Sequence, residues 1–340
     1  MNKKISSIEL IRFIAALTVV IHHYHYVFNK FNELTIKSLP FFSFLNIFYK
    51  YGSYAVHVFF IISGFIFSYV YLSQKKIKTK EFFINRFARL YPLHFITLLF
   101  VLFLSVVDTK FSNYFFYAYN PIYTDLYHFV LQIFFISHWG LQEGFSFNTP
   151  SWSISVEIMM YIIFFLTLKY LNRYKIKVSI FVMLISFIFY KFTNLFIFDE
   201  YAFLFFLGVL IYEITKLKKS KLIIFLSIFF LIFSFIGNFK ILLFCPSLLI
   251  LSLQIDTLIK NKKIAESFNF FGSLSYSMYM LHFPLMIVFL LFENLKILNE
   301  KFYFNSNFLI FFILLLILLS IVSFKFFEYP INKKIRSKFL

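Results

Sequence analysis

The chain has 340 residues, of which 61% are hydrophobic and only 14% charged, with a mean hydropathy of +0.82. These values exclude an ordinary water-soluble enzyme and predict an integral membrane protein of all-α class. The net charge of +18 would suggest a nucleic-acid ligand in a soluble chain, but the basic residues gather in short connections between apolar runs, so topology accounts for them and no nucleic acid is expected.

Apolar runs predict about ten spans, at residues 8–28, 54–73, 91–107, 152–168, 178–197, 201–215, 222–238, 241–258, 270–292 and 308–327, each near the roughly 20 residues a bilayer requires. The first run reads as retained, because Glu9, Arg12, His22, His23 and His25 interrupt it and no small-residue cleavage site follows. A further run at 126–139 carries His128, Gln132 and His138 and is short for a crossing. It is expected to be an interfacial or re-entrant helix within a long outer loop, 108–151. Counted as a span, it would move every later basic cluster to the opposite side. With ten crossings, Lys3, Lys4, Arg12, the inner Arg loop at 74–92, and the clusters at 169–177, 216–221, 260–263 and 325–338 all face the cytoplasm, together with both termini. Residues 1–340 are expected to form one transmembrane domain with no separate soluble domain. Cys245 stands alone, so no internal disulfide is possible, and the scattered histidines predict no metal site.

Ionisable groups inside a bilayer are costly and are the first candidates for function. Arg12 and His23 are separated by about 1,100° of helix, three turns plus roughly 20°, and a rise of about 16 Å. They therefore share one face, Arg12 near the inner end and His23 near the outer end, while His22 and His25 point away from it. Arg12 snorkelling to the headgroups and His23 in an interhelical hydrogen bond would show the same pattern. The fourth run opens with Thr149-Pro150-Ser151-Trp152-Ser153-Ile154-Ser155-Val156-Glu157, where Thr149 suits a helix cap and Pro150 the first helical position. Glu157 then lies at a depth similar to that of His23, which suits an oriented base, with an interhelical ion pair as the alternative. Arg86 and Arg89, three apart, suit a two-point grip on phosphate; five Arg against 28 Lys make that choice informative. In the ninth run Tyr279 shares a face with His282, and Pro284 loosens the backbone around them. Glu328-Tyr329-Pro330 reads as a helix stop with a paired acid. The chain lacks a Walker loop, a Gly-rich dinucleotide turn, HExxH and a nucleophile elbow, which argues against an ATP-driven pump, a Rossmann domain, a zincin and an α/β-hydrolase.

In order, these segments resemble the acyltransferase 3 family of bacterial membrane acyltransferases over nearly the whole chain. Arg12 through His23 resembles its opening pattern, Phe59-Phe60-Ile61-Ile62-Ser63-Gly64-Phe65 its second-span signature, and Arg86-Phe87-Ala88-Arg89-Leu90-Tyr91-Pro92 its Arg loop. Trp152-Ser153 through Glu157, Phe205-Phe206-Leu207-Gly208, and Ser275-Tyr276 through His282-Phe283-Pro284 match later motifs. The chain departs in having Ile158 where a second acid is frequent, His22 where an aromatic is common, and no extra outer domain before Leu340.

The resemblance implies a bacterial cytoplasmic-membrane enzyme that binds no cofactor and uses acyl-CoA, acetyl-CoA above all, as donor at Arg12, Arg86 and Arg89. The acceptor it implies is a hydroxyl of a glycan or lipid-linked glycan, met at the outer side near Trp152, Ser153 and Trp139. His23 is then the general base and Glu157 orients it, with His282 or Tyr279 assisting; direct transfer and an acyl-histidine intermediate both remain open. The tyrosines of the outer loop, Tyr114, Tyr117, Tyr119, Tyr123 and Tyr127, suit either sugar stacking or an interfacial aromatic belt. A glycan-lipid flippase or secondary transporter, and a non-catalytic partner in glycan assembly, are the rival readings. The acceptor's identity and the oligomeric state are not legible in the sequence.

Overall fold

The computed structural model describes residues 4–340 except 30–31, 33–34, 73, 75–76, 108–120, 193–195, 217–220 and 235–239; at 121, 190–192, 196–199, 216, 221–222 and 240 it describes backbone alone. Among the described residues there is no strand. The helices are α1 (Ser6–Phe28), α2 (Phe42–Tyr51), α3 (Tyr54–Tyr71), α4 (Thr79–Val107), α5 (Leu126–Ile133), α6 (Ser151–Phe192), α7 (Phe196–Lys216), α8 (Lys221–Phe233), α9 (Lys240–Asp256), α10 (Lys262–Asn294), α11 (Ser306–Ser323) and α12 (Tyr329–Phe339), with a π-helical turn, Phe324–Glu328, joining the last two. Helices follow from the composition: hydrocarbon offers backbone groups no water, so each apolar segment must satisfy its own amides.

Six described stretches are long and apolar enough to cross a membrane: Ser6–Phe28, Tyr54–Tyr71, Thr79–Val107, Ser151–Phe189, Lys262–Asn294 and Ser306–Phe339. The chain is an all-helical, multi-pass membrane protein.

Several boundaries differ from the sequence expectation. The run at 152–168 and most of that at 178–197 lie within Ser151–Phe192 as two helical stretches, parted by a kink at Tyr174, whose φ of −131° and ψ of 47° leave helical geometry. The inner Arg loop is largely helix, since α4 begins at Thr79 and carries Arg86, Arg89 and Pro92 within it. The amphipathic α2 is too short for a run-length criterion; it buries Tyr49 and exposes Phe44, Ile47 and Tyr51. The stretch at 126–139 does hold a short helix, α5, of 8 residues. At 1.5 Å per residue it is about 12 Å long, well below a bilayer's hydrocarbon thickness. Asp125 caps it, accepting from the His128 amide at 2.8 Å, and that bond holds the Asp125 carboxyl below its usual range.

The described residues group into two compact units. The first comprises 1–15, 54–77 and 156–273. Its centre is the crossing of α3 and α7, where two motif glycines meet the opposite backbone. A Cβ on Gly64 would stand 1.8 Å from the Phe205 carbonyl oxygen, and one on Gly208 would stand 2.1 Å from that of Ile61. Close approach over small residues is the usual source of helix association in lipid, where no hydrophobic drive separates helix from solvent.

The second unit comprises 16–53, 78–155 and 274–340. Tyr24 donates to the Tyr303 carbonyl at 2.7 Å, and Tyr303 stacks on Phe28 with ring centres 4.2 Å apart. Pro284 has no N–H to offer the carbonyl one turn earlier in α10, that of Met280. Asn148 donates to that carbonyl at 3.0 Å, which ties the segment before α6 to this turn of α10.

Candidate functional site

In the second unit, His23 of α1 meets His282 of α10, Nδ1 to Nε2 at 2.7 Å. His282 is fully buried, and its Nδ1 lies 3.2 Å from the Met278 carbonyl one turn back. His23 is half-buried and retains exposed surface. His22 lies elsewhere on α1, as the helical arithmetic requires, and its Nδ1 donates to the Tyr49 carbonyl at 2.7 Å. That bond holds α2 against α1; at Gly52 an added Cβ would stand 2.6 Å from the His22 Cβ.

Tyr279, one turn before His282, sits at the start of α6. Its hydroxyl donates to the Pro150 carbonyl at 3.0 Å and lies 2.7 Å from the Ser153 Oγ. Ser153 also reaches the Pro150 carbonyl, at 3.2 Å. The helix start is therefore held by Tyr279 and Ser153. The expected Thr149 cap does not form: its buried Oγ1 has no hydrogen-bond partner among the described residues, and α6 begins at Ser151. Ser151 donates instead to Gln132 of α5 at 2.7 Å.

The outer aromatics pack around that start. Trp152 lies over His138 with ring centres 5.0 Å apart, His138 stacks on Phe145 at 5.4 Å, and Trp139 donates its indole N–H to the Ser155 carbonyl at 2.9 Å. Burial pushes the His138 imidazole down to about 4. Tyr127 donates to the Leu141 carbonyl at 2.7 Å. Tyr114, Tyr117 and Tyr119 lie outside the described residues.

The two arginines occupy the first turns of α4, Arg86 half-buried and Arg89 exposed. Glu328, on the π-helical turn, accepts from Ser277 at 2.5 Å and Ser323 at 2.8 Å, and the Arg89 charge acts on it. Tyr276, beside Ser277, donates to the carbonyl of Leu90, beside Arg89. Thus α10 clasps both the arginine helix and the acid facing it. The acid expected at Glu328 is paired, but the helix stop expected with it does not form: the chain runs on through the π-helical turn into α12, where Pro330 takes an early position that needs no N–H.

The first unit holds the other candidates. Arg12 is paired with Glu9 at 3.1 Å, one turn earlier on α1. Glu157 accepts from Ser63 at 2.8 Å and from Tyr161, one turn further along α6. Ser63 belongs to the second-span signature but was not singled out as a site residue, although a hydroxyl beside a glycine on a buried helix is a fair signal for a carboxylate partner. His57 of α3, also not anticipated, meets Glu200 of α7 at 2.7 Å. No cluster of metal-ligating side chains occurs among the described residues.

The acyltransferase 3 model, described as an acyltransferase domain, matches residues 5–325, and the chain belongs to that family. A curated relative, the acyltransferase MdmB of Streptomyces mycarofaciens, is 32% identical over 117 residues, 33% of this chain. The match spans only 27% of that protein's length. No solved structure matches.

Proposed function

We propose that the protein is a bacterial cytoplasmic-membrane O-acyltransferase that moves an acyl group, acetyl in the first instance, from cytoplasmic acyl-CoA to a hydroxyl of a cell-surface glycan or its lipid-linked precursor. In this reading residues 1–340 form one functional domain with ten crossings and both termini in the cytoplasm, which keeps the basic clusters, Arg86 and Arg89 inside. Those arginines receive the donor's phosphates, Glu328 steadies Arg89, and Arg12 adds charge at the inner end of α1. The pantetheine arm carries the thioester outward to the level of His23. Trp152, Ser153 and Trp139 border the acceptor's approach.

The observation that carries this reading is the His23–His282 contact: an imidazole oriented by a buried partner, in a chain of an acyltransferase family. A paired imidazole serves a proton transfer better than it serves transport of a whole glycan. Glu157, with Ser63 and Tyr161 around it, is the second polar centre and supports the acyl-transfer chemistry.

The test is acylation in inside-out membrane vesicles supplied with labelled acetyl-CoA. Base-labile label on glycan or lipid is expected with the natural protein and none with His23→Ala. Absence of label in both, with acceptor shown to be present, overturns the donor assignment.

A further inference from the structure

A histidine can act as a base only through a nitrogen that carries no proton, and each of its two nitrogens is assigned by what the other one bonds. At His282 the assignment is forced. A carbonyl oxygen only accepts, so the Nδ1 facing the Met278 carbonyl carries the proton. A neutral His282 then has a bare Nε2, which can only accept. A cationic His282 would place a charge at a fully buried position with no acidic partner to offset its lost hydration, which disfavours that form. The nitrogen that meets this bare Nε2 is Nδ1 of His23, which must therefore be the donor.

The ring geometry agrees. The two rings are nearly parallel, 9° apart, with centres 5.0 Å apart. That separation equals the 2.7 Å N···N distance plus about 1.2 Å on each side, the radius of a ring with ordinary bond lengths. The rings therefore lie end to end in a common plane, not face to face, and the N–H points straight at its acceptor, as a strong hydrogen bond requires.

We infer that the reacting nitrogen of His23 is Nε2, and that His282 is the positioning residue that fixes it, accepting the Nδ1 proton of His23 while giving its own Nδ1 proton to the Met278 carbonyl. In a hydrolase triad a carboxylate holds the Nδ1 proton of the base. Here a neutral imidazole does so, and a helix carbonyl holds the imidazole. The arrangement keeps the tautomer without placing a fixed negative charge next to the base.

The step this permits balances as follows. The acceptor hydroxyl gives its proton to His23 Nε2 as its oxygen bonds the thioester carbonyl carbon. The carbon–sulfur bond then breaks, and the departing thiolate takes the proton back from Nε2. While His23 is cationic, its Nδ1–H remains directed at the lone pair of His282. This role rests on the function proposed above; the tautomer does not.

The test combines a spectrum with a rate. Nitrogen-15 NMR of histidine-labelled protein in bilayers, with His23 assigned by difference against His23→Gln, should show His23 protonated at Nδ1 and bare at Nε2. In the rate assay, His282→Leu should lower kcat about 100-fold with the donor KM within about threefold. His282→Gln places an acceptor oxygen near the position of Nε2 and should recover kcat to within about tenfold of the natural protein. A His23 protonated at Nε2 overturns the inference whatever the activity. Equal loss in the Leu and Gln variants overturns the positioning role. A natural protein with the expected spectrum but no transfer from acyl-CoA sinks the donor assignment and upholds the tautomer.

Discussion

His23 and His57 make opposite choices of partner. His57 on α3 meets a carboxylate, Glu200, at 2.7 Å, whereas His23 on α1 meets another imidazole, His282, at the same distance. His57 is buried and its carboxylate exposed; His23 keeps exposed surface and its partner is buried. A carboxylate partner brings a fixed negative charge to its imidazole. A neutral partner orients the ring without such a charge beside it. The first pairing suits a joint between α3 and α7, and the second a base that turns over. A histidine and an acid together are not sufficient evidence for a catalytic base.

The sharpest way to break this comparison is to remove each histidine in turn. His23→Ala should lower acyl transfer by at least about 1,000-fold, while His57→Ala should stay within about fivefold once corrected for the amount of inserted protein. Equal losses would end the distinction. The next largest effect is at the glycines of the same α3–α7 pair of helices: Gly64→Ala or Gly208→Ala should destabilise their crossing by roughly 2–3 kcal/mol, read as a lower melting temperature in detergent. On the donor side, Arg89→Ala should raise the acyl-CoA KM about tenfold with kcat little changed, and Glu328→Gln about threefold in the same direction.

The smallest effect concerns pH. His138 has a folded value of about 4 against an ordinary 6.5. Between those values the unfolded chain binds the extra proton, so the outer segment keeps its full stability above about pH 6.5 and loses this contribution as pH falls towards 4. Protease susceptibility of the 136–150 segment at pH 7.5 and 5 should show the loss, and His138→Phe should flatten it.

Much of the site was legible because helical periodicity is rigid. The divergence of His22 from His23, and the pairing of Tyr279 with His282 on one face, follow from residue numbers alone. The unanticipated contacts each required a second element. Asn148 meeting the Met280 carbonyl has a local signal in Pro284, which tells that a carbonyl is released but not what will take it. Ser63 beside Glu157, and Ser277 beside Glu328, have no signal in spacing, because hydroxyls are numerous on these helices and only packing selects among them.

By itself, then, the sequence determined the membrane setting, the helical class, the family and the faces on which the chemical groups stand. These depend on composition and on the 3.6-residue period, both local properties. Only the tertiary structure decided that the partner of His23 is His282 and that Glu157 accepts from Ser63 of α3. Those outcomes depend on which side chains meet at hydrogen-bond distance across 259 positions of chain, as His23 and His282 do, and no local rule carries that far.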